Sequence, residues 1–337
     1  MWSSDKFSSK ENILRIELEG ICSARGAWVL YGYTEGGEKK ELRRESIAQE
    51  GFAIKHDFDP VSYGVYEGAV EFSVELEGEC EITKFEVSIP ATSHSEGGEI
   101  DTDFDGNLVK IYDIDGKEKW IPCAPKNILY IGNSLIAGMF ISYGMCATSP
   151  QTDYAYLVSQ EILKHSPNAS FRKLHGSDFE HSESKEAFEK WFFTDLNPLT
   201  LRPVCEEFTK DLDLVIIQLA DNVNTPEKAA AFPENADRLI REIKTRSPNA
   251  RIIWVYGWYG SAETLSMVHS ACRRNQVETV NVAKYHTREN EAYLGQTCLH
   301  PSGNLVTVKD YWISHPGDKG MAAIAAKIIG QLFPEKP

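Results

Sequence analysis

The stretch Asn127-Ile128-Leu129-Tyr130-Ile131-Gly132 (NILYIG, 127–132) is an unbroken apolar run ending on glycine, and Asn133-Ser134-Leu135 follows it. No polar residue alternates within its middle, which is how a strand buried on both faces of a parallel sheet reads. Two runs of the same kind lie downstream, DLVIIQLA (213–220) and RIIWVYGW (251–258). SFRKL (170–174) and ETVNVA (278–283) read as shorter strands. Helical patterns fall between them: YAYLVSQEILKH (154–165), PENADRLIREIKTR (233–246), SAETLSMVHSACRR (261–274) and DKGMAAIAAKIIGQLF (318–333). In the second of these Leu239, Ile240 and Ile243 share one face. Apolar strands alternating with helices predict a parallel sheet covered on both sides, a three-layer α/β/α domain.

Upstream of Pro125 the period changes to two. Phe72, Val74 and Leu76 alternate with Glu71, Ser73, Glu75 and Glu77, as in a strand with one wet face. ILRIELEG, GAWVLYGYT, GFAIKHDFD and CEITKFEVSI are comparable short runs, and Asp115-Gly116 reads as the turn of a further hairpin. No helix of useful length is expected here. The prediction is an all-β, jelly-roll-like sandwich over 1–124 and an α/β domain over 125–337, with the boundary near 122–126.

The 337 residues carry a net charge of −15. Of the charged residues, 13 basic and 26 acidic ones lie within 1–125, so the charge asymmetry follows the proposed boundary. An acidic chain repels polyanions, so neither nucleic acid nor an anionic membrane surface is an expected partner. No apolar stretch is long enough for a membrane span. The seven scattered cysteines, without a paired motif, read as single buried thiols rather than a disulfide framework or zinc site. Those thiols, and an N-terminal stretch without a basic leader and apolar run, favour a cytoplasmic location unless a signal was trimmed.

In an open α/β sheet reactive groups gather at the carboxyl ends of the strands. The first strand ends at Gly132-Asn133-Ser134, which puts a hydroxyl at a sharp turn, although a serine there can equally cap a helix. The second ends at His175-Gly176, where glycine could expose its N–H or merely serve a turn. Asp221 and Asn222 follow the third, offering a carboxylate and an amide donor, residue types that are also usual in any loop. His315-Pro316 lies in a rigid loop before a helix, suited to a general base but also ordinary on a surface. Trp258 and Tyr259, after RIIWVY, are placed to line a pocket or stack on a sugar ring, with core packing the alternative. The segment 139–153 is a further candidate wall. His175, Asp178 and His181 have the wrong spacing for a metal site, and no G-x-G-x-x-G or Walker loop is present. Neither metal nor cofactor is expected.

Taken together, Gly-Asn-Ser-Leu after the first strand, glycine after the second, asparagine after the third and His-Pro before the last helix resemble the SGNH (GDSL-like) hydrolase superfamily over about 126–333. Two departures are visible in the first and third blocks: Asn133 stands where the family usually has aspartate, and Ala220 and Val223 where it has glycine and aspartate. The resemblance implies Ser134 as nucleophile, His315 as base, and an oxyanion hole from the N–H groups of Ser134 and Gly176 with the Asn222 side chain. A third departure is Trp312, at the position of the family's Asp-x-x-His aspartate, because indole cannot accept the imidazole's hydrogen bond. Asp310, a carboxylate from elsewhere, or a main-chain carbonyl near Trp312 could orient the ring. The carbonyl is the favoured expectation, because it resembles the arrangement in two-domain carbohydrate acetyl esterases, which also join a β-sandwich to such a domain. Trp312 would then wall a small acyl group. The resemblance implies a serine esterase acting on a short acyl ester, with a small-molecule or carbohydrate ester as substrate. A thioesterase, a lysophospholipase, an acyltransferase on the same scaffold, a decayed carbohydrate-binding protein, and an assembly role for the acidic β-domain are the alternatives. No oligomeric state is legible.

Overall fold

The computed structural model describes residues 2–8, 14–48, 50–58, 69–88, 107–137, 143–299, 304–309 and 312–334. It divides into two compact units, residues 1–92 with 261–266, and 93–260 with 267–337.

In the first unit, two antiparallel sheets enclose one apolar core. One has the order β1 (Trp2–Ser3), β6 (Glu71–Glu77), β3 (Gly26–Tyr33), β4 (Lys39–Ile47), and the other β5 (Glu50–Phe58), β2 (Leu14–Cys22), β7 (Cys80–Ser88). Ile16 and Leu18 from the second sheet meet Trp28, Leu30, Phe72, Val74 and Leu76 from the first, all essentially buried. That is the alternation visible in the sequence, turned inward on both sheets. Strand β4 (KKELRRESI) has no apolar rhythm to reveal it. It pairs along β3, and Arg44 and Lys39 reach Glu77 and Glu75 on β6 at 2.5 Å each.

One sequence expectation fails here. Cys22 and Cys80 are not single thiols but form a disulfide. They lie 58 residues apart, yet the antiparallel register of β2 and β7 sets them directly opposite one another. Strand pairing brought them together, and spacing in the chain could not show it. The case for a reducing compartment loses that support.

In the second unit a five-stranded parallel sheet has the order β11 (Ser170–His175), β10 (Asn127–Gly132), β12 (Leu214–Gln218), β13 (Arg251–Tyr256), β14 (Glu278–Asn281). Ile128 and Tyr130 point to the face covered by α1 (Tyr154–His165) and α6 (Asp318–Leu332), packing with Val158, Ile162, Met321 and Ile324. The opposite face is aromatic. Trp254 of β13 and Phe179 of the single-turn helix α2 (Ser177–Glu180) meet Phe232, and Phe179 also meets Phe188 and Trp191 of α3 (Lys185–Phe193). The layers are therefore α/β/α. Among the described residues no helix is long and apolar enough to cross a membrane.

Two boundaries differ from the sequence reading. Helix α4 runs over Pro226–Arg246, so Pro233 lies inside it rather than at its start. Pro226 and the Thr225 cap begin the helix, and burial of Phe232, Ala236, Leu239 and Ile240 outweighs the interior proline. The hairpin β8 (Leu108–Tyr112)–β9 (Glu118–Pro122), expected with the first domain, groups with the second unit. Lys119 Nζ donates to the Pro248 carbonyl (3.2 Å) and Lys244 Nζ to the Asp113 carbonyl (3.3 Å).

Candidate active site

The register of the parallel sheet builds the site. Gly132 at the end of β10 is level with His175 on β11 and Gln218 on β12, so the loops after three strands open side by side. Gly132 must be glycine, because a Cβ there would lie 2.8 Å from the Gln218 carbonyl oxygen. The chain then turns: Ile136 N and Ala137 N both donate to the Asn133 carbonyl, and Leu135 N donates to Asn133 Oδ1. Ser134 is carried half-buried on this turn, and its N–H has no partner among the described residues.

Ser134 Oγ lies 3.0 Å from His315 Nε2. They are 181 residues apart in the chain. The other ring nitrogen, Nδ1, lies 3.1 Å from the Trp312 carbonyl oxygen, which also accepts the His315 N–H at 2.9 Å. A carbonyl only accepts, so Nδ1 carries the proton and Nε2 presents a lone pair to the serine hydroxyl. Burial lowers the His315 pKa to about 4, opposed only by the Trp312 carbonyl bond. The imidazole is neutral over the physiological range. Asp310 lies outside the described residues.

The loop bearing His315 is braced from several sides. Ala292 N donates to the His315 carbonyl (2.8 Å), Trp258 Nε1 to the Ser314 carbonyl (2.9 Å), and Tyr259 Oη to Ser314 Oγ (3.3 Å). The Tyr259 ring stands edge-on to the imidazole at 5.6 Å. Trp258 is thereby excluded as a pocket residue: it is fully buried and stacked against His286. A continuous apolar strand delivers its next side chain to the core as readily as to the cleft, and Tyr259 is the aromatic that reaches the histidine. Trp312, half-buried, lines an apolar pocket of about 40 Å³ with Tyr143, Met145, Cys146, Cys298, Val306 and Val308. Part of the expected 139–153 wall thus lies there, while 138–142 fall outside the described residues.

Gly176 departs from expectation. Its N–H donates to the Gly132 carbonyl at 2.6 Å, continuing the β10–β11 ladder by one bond, so that donor is already engaged. Asn222 Nδ2 donates one proton to Glu180 Oε2 (2.6 Å), which leaves a second N–H on the same nitrogen. Ala220, where the resembled pattern has glycine, takes φ = 126°, a left-handed backbone that glycine adopts far more easily. Its N–H is held by Glu180 Oε1 at 2.6 Å. Strain of this kind costs about 1–3 kcal/mol and persists only where surrounding bonds hold it.

Sequence reasoning missed Glu180 altogether. It is 1% exposed at the end of α2 and accepts hydrogen bonds from two neighbouring loops. The one available signal was a charged residue in an otherwise aromatic stretch. Asp221 is its neighbour in this network: Asn133 Nδ2 donates to both carboxylates, at 3.0 Å and 2.8 Å, and Tyr259 N donates to Asp221 (2.8 Å). Burial and their mutual repulsion raise the pKa of Glu180, and burial chiefly raises that of Asp221. No cluster of side chains suited to a metal ion occurs among the described residues.

No protein-family model matches the chain, and no curated protein matches it. Solved structures similar to it include a family two carbohydrate esterase from Clostridium thermocellum in complex with cellohexaose, at 15% identity over 96% of this chain and 90% of that one (TM-score 0.40). An acetyl xylan esterase (Est2A) from the rumen bacterium Butyrivibrio proteoclasticus matches at 14% identity over 97% and 88% (TM-score 0.40). A putative GDSL-like lipase from Bacteroides ovatus matches at 14% identity over 60% of this chain and 95% of that one (TM-score 0.36).

Proposed function

We propose that this protein is a serine esterase that removes a short acyl group, acetyl being the best fit, from a carbohydrate ester. The observation that carries the chemistry is the 3.0 Å contact between Ser134 Oγ and His315 Nε2, on an imidazole whose Nδ1 is fixed by a main-chain carbonyl. A hydroxyl beside an oriented neutral imidazole is an activated nucleophile. Ser134 Oγ attacks the acyl carbon as its proton passes to His315 Nε2. The carbonyl oxygen becomes an oxyanion, for which the free Ser134 N–H and the second Asn222 N–H are the donors. Collapse expels the alcohol, which takes the proton from His315, and leaves an acyl-serine. Water then repeats the sequence, with His315 again as base, releasing the acid and restoring Ser134.

Trp312, whose carbonyl holds the His315 ring, also lines an apolar pocket with Tyr143, Cys146 and Val308, which supports a small apolar acyl group. The carbohydrate alcohol rests on the resemblance of the sequence blocks and of the two-part organisation to carbohydrate acetyl esterases, an analogy of scaffold. The test is hydrolysis of p-nitrophenyl acetate, p-nitrophenyl octanoate and an acetylated oligosaccharide by the parent, Ser134→Ala and His315→Ala. Acetyl esters should be turned over in preference to octanoyl, and each variant should lose at least ~10³-fold in kcat with its fold intact. Undiminished turnover by Ser134→Ala would overturn the reading.

A further inference from the structure

The buried carboxylate of Glu180 touches neither Ser134 nor His315, yet it joins the loops that carry the proposed chemistry. Its Oε1 accepts from Asn133 Nδ2 (3.0 Å), Ala220 N (2.6 Å) and Asn222 N (3.2 Å), and its Oε2 from Asn222 Nδ2 (2.6 Å). The glutamate follows β11, Asn133 follows β10, and Ala220 and Asn222 follow β12. One side chain thus fastens the carboxyl-end loops of three adjacent strands. All four bonds run from protein N–H groups to the carboxyl oxygens, so the site suits an acceptor and not an amide N–H. The same chemistry decides how the Asn222 amide sits. Only its nitrogen can face a carboxylate, so its Oδ1 is turned away and one N–H is left over.

We infer that Glu180 is a positioning residue of the esterase: it fixes the Asn222 carboxamide so that its remaining N–H serves as an oxyanion donor, and it holds the strained Ala220 backbone that brings Asn222 there. This rests on the esterase reading above. The loss of the family's usual aspartate at 133 and glycine at 220 then has a physical counterpart. Asn133 supplies a donor where that aspartate would supply a second buried charge, and the Ala220 N–H bond to Glu180 secures a backbone that glycine would adopt unaided.

Glu180→Gln tests this with almost no change of volume. Its amide places an N–H among four existing donors, so the Asn222 carboxamide must flip or withdraw. The expected result is a fall in kcat for p-nitrophenyl acetate of ~10²–10³-fold, the worth of one oxyanion donor, with KM changed less than about threefold. Asn222→Ala should fall by a similar factor. The double variant should be no slower than the worse single one, because both remove the same donor. A kcat of Glu180→Gln within about threefold of the parent, or losses that multiply in the double variant, would overturn the inference. Where Glu180→Gln fails to fold, the parent itself supplies the measurement: NMR of the Asn222 side-chain amide should show one proton shifted well downfield and slow to exchange. A freely exchanging pair of Asn222 amide protons would equally overturn it. Ser134→Ala separates the two levels: turnover surviving in that variant removes the esterase reading, whereas the NMR result judges the Glu180–Asn222 clamp on its own.

Discussion

Replacing Asp310 by asparagine separates a carboxylate-assisted triad from a dyad oriented by the backbone. In a Ser-His-Asp triad, the aspartate-to-asparagine change leaves geometry intact and lowers kcat by about 10⁴, because the imidazole settles in the wrong tautomer. At about 1.36 kcal/mol per decade, that is about 5.4 kcal/mol of transition-state stabilisation. Here the acceptor at His315 Nδ1 is the Trp312 carbonyl oxygen, 3.1 Å away, and that oxygen is also bonded by the His315 N–H. No side-chain substitution removes it. Asp310→Asn should therefore change kcat/KM by less than about threefold, against a loss of at least ~10³ for His315→Ala. The assay is steady-state hydrolysis of p-nitrophenyl acetate at pH 7–8, with thermal unfolding run in parallel to exclude misfolding. A loss in Asp310→Asn comparable to that of His315→Ala, at unchanged unfolding temperature, would refute the reasoning and make Asp310 the orienting acid.

Two other outcomes follow from the same structure. The His315 ring, followed by NMR through a pH titration, should protonate near pH 4 rather than at the unperturbed value near 6.5, because burial disfavours the charged form. Between those values the unfolded chain binds the proton and the folded one does not, so this group's contribution to stability rises with pH through that window and is lost as pH falls; a midpoint at or above 6.5 contradicts the burial argument. Replacing Cys22 and Cys80 together by serine should lower the stability of the β-sandwich unit by up to ~4 kcal/mol, the loop-closure value for a 58-residue separation. Urea unfolding read from the buried Trp28 checks it, and an unchanged midpoint would mean that the two sulfurs are not bonded.

Much of the architecture was legible because burial leaves a period in the chain. NILYIG, DLVIIQLA and RIIWVYGW are apolar on both faces because both faces of that sheet are covered, and Glu71–Glu77 alternates because Phe72, Val74 and Leu76 turn together into the core between two sheets. Elements without such a rhythm escaped. The charged strand Lys39–Ile47 is one, held by partners on neighbouring strands; the helix Lys185–Phe193 also went unread, although Phe188, Trp191 and Phe192 do carry helical spacing. The candidate nucleophile and base were legible for a different reason. Glycine before Ser134 and proline after His315 mark positions where the backbone is constrained.

What the chain by itself determined is where strands end and which reactive groups stand at those ends. What only the tertiary structure decided is who partners whom. The Trp312 carbonyl rather than a carboxylate meets the imidazole, the Gly176 N–H goes to the Gly132 carbonyl, Trp258 turns into the core, Glu180 gathers two neighbouring loops, and Cys22 meets Cys80. Periodicity records how deeply a residue lies within its own element. Hydrogen bonds and disulfides between elements depend on strand register and on which loops converge, and those are settled only when distant segments pack.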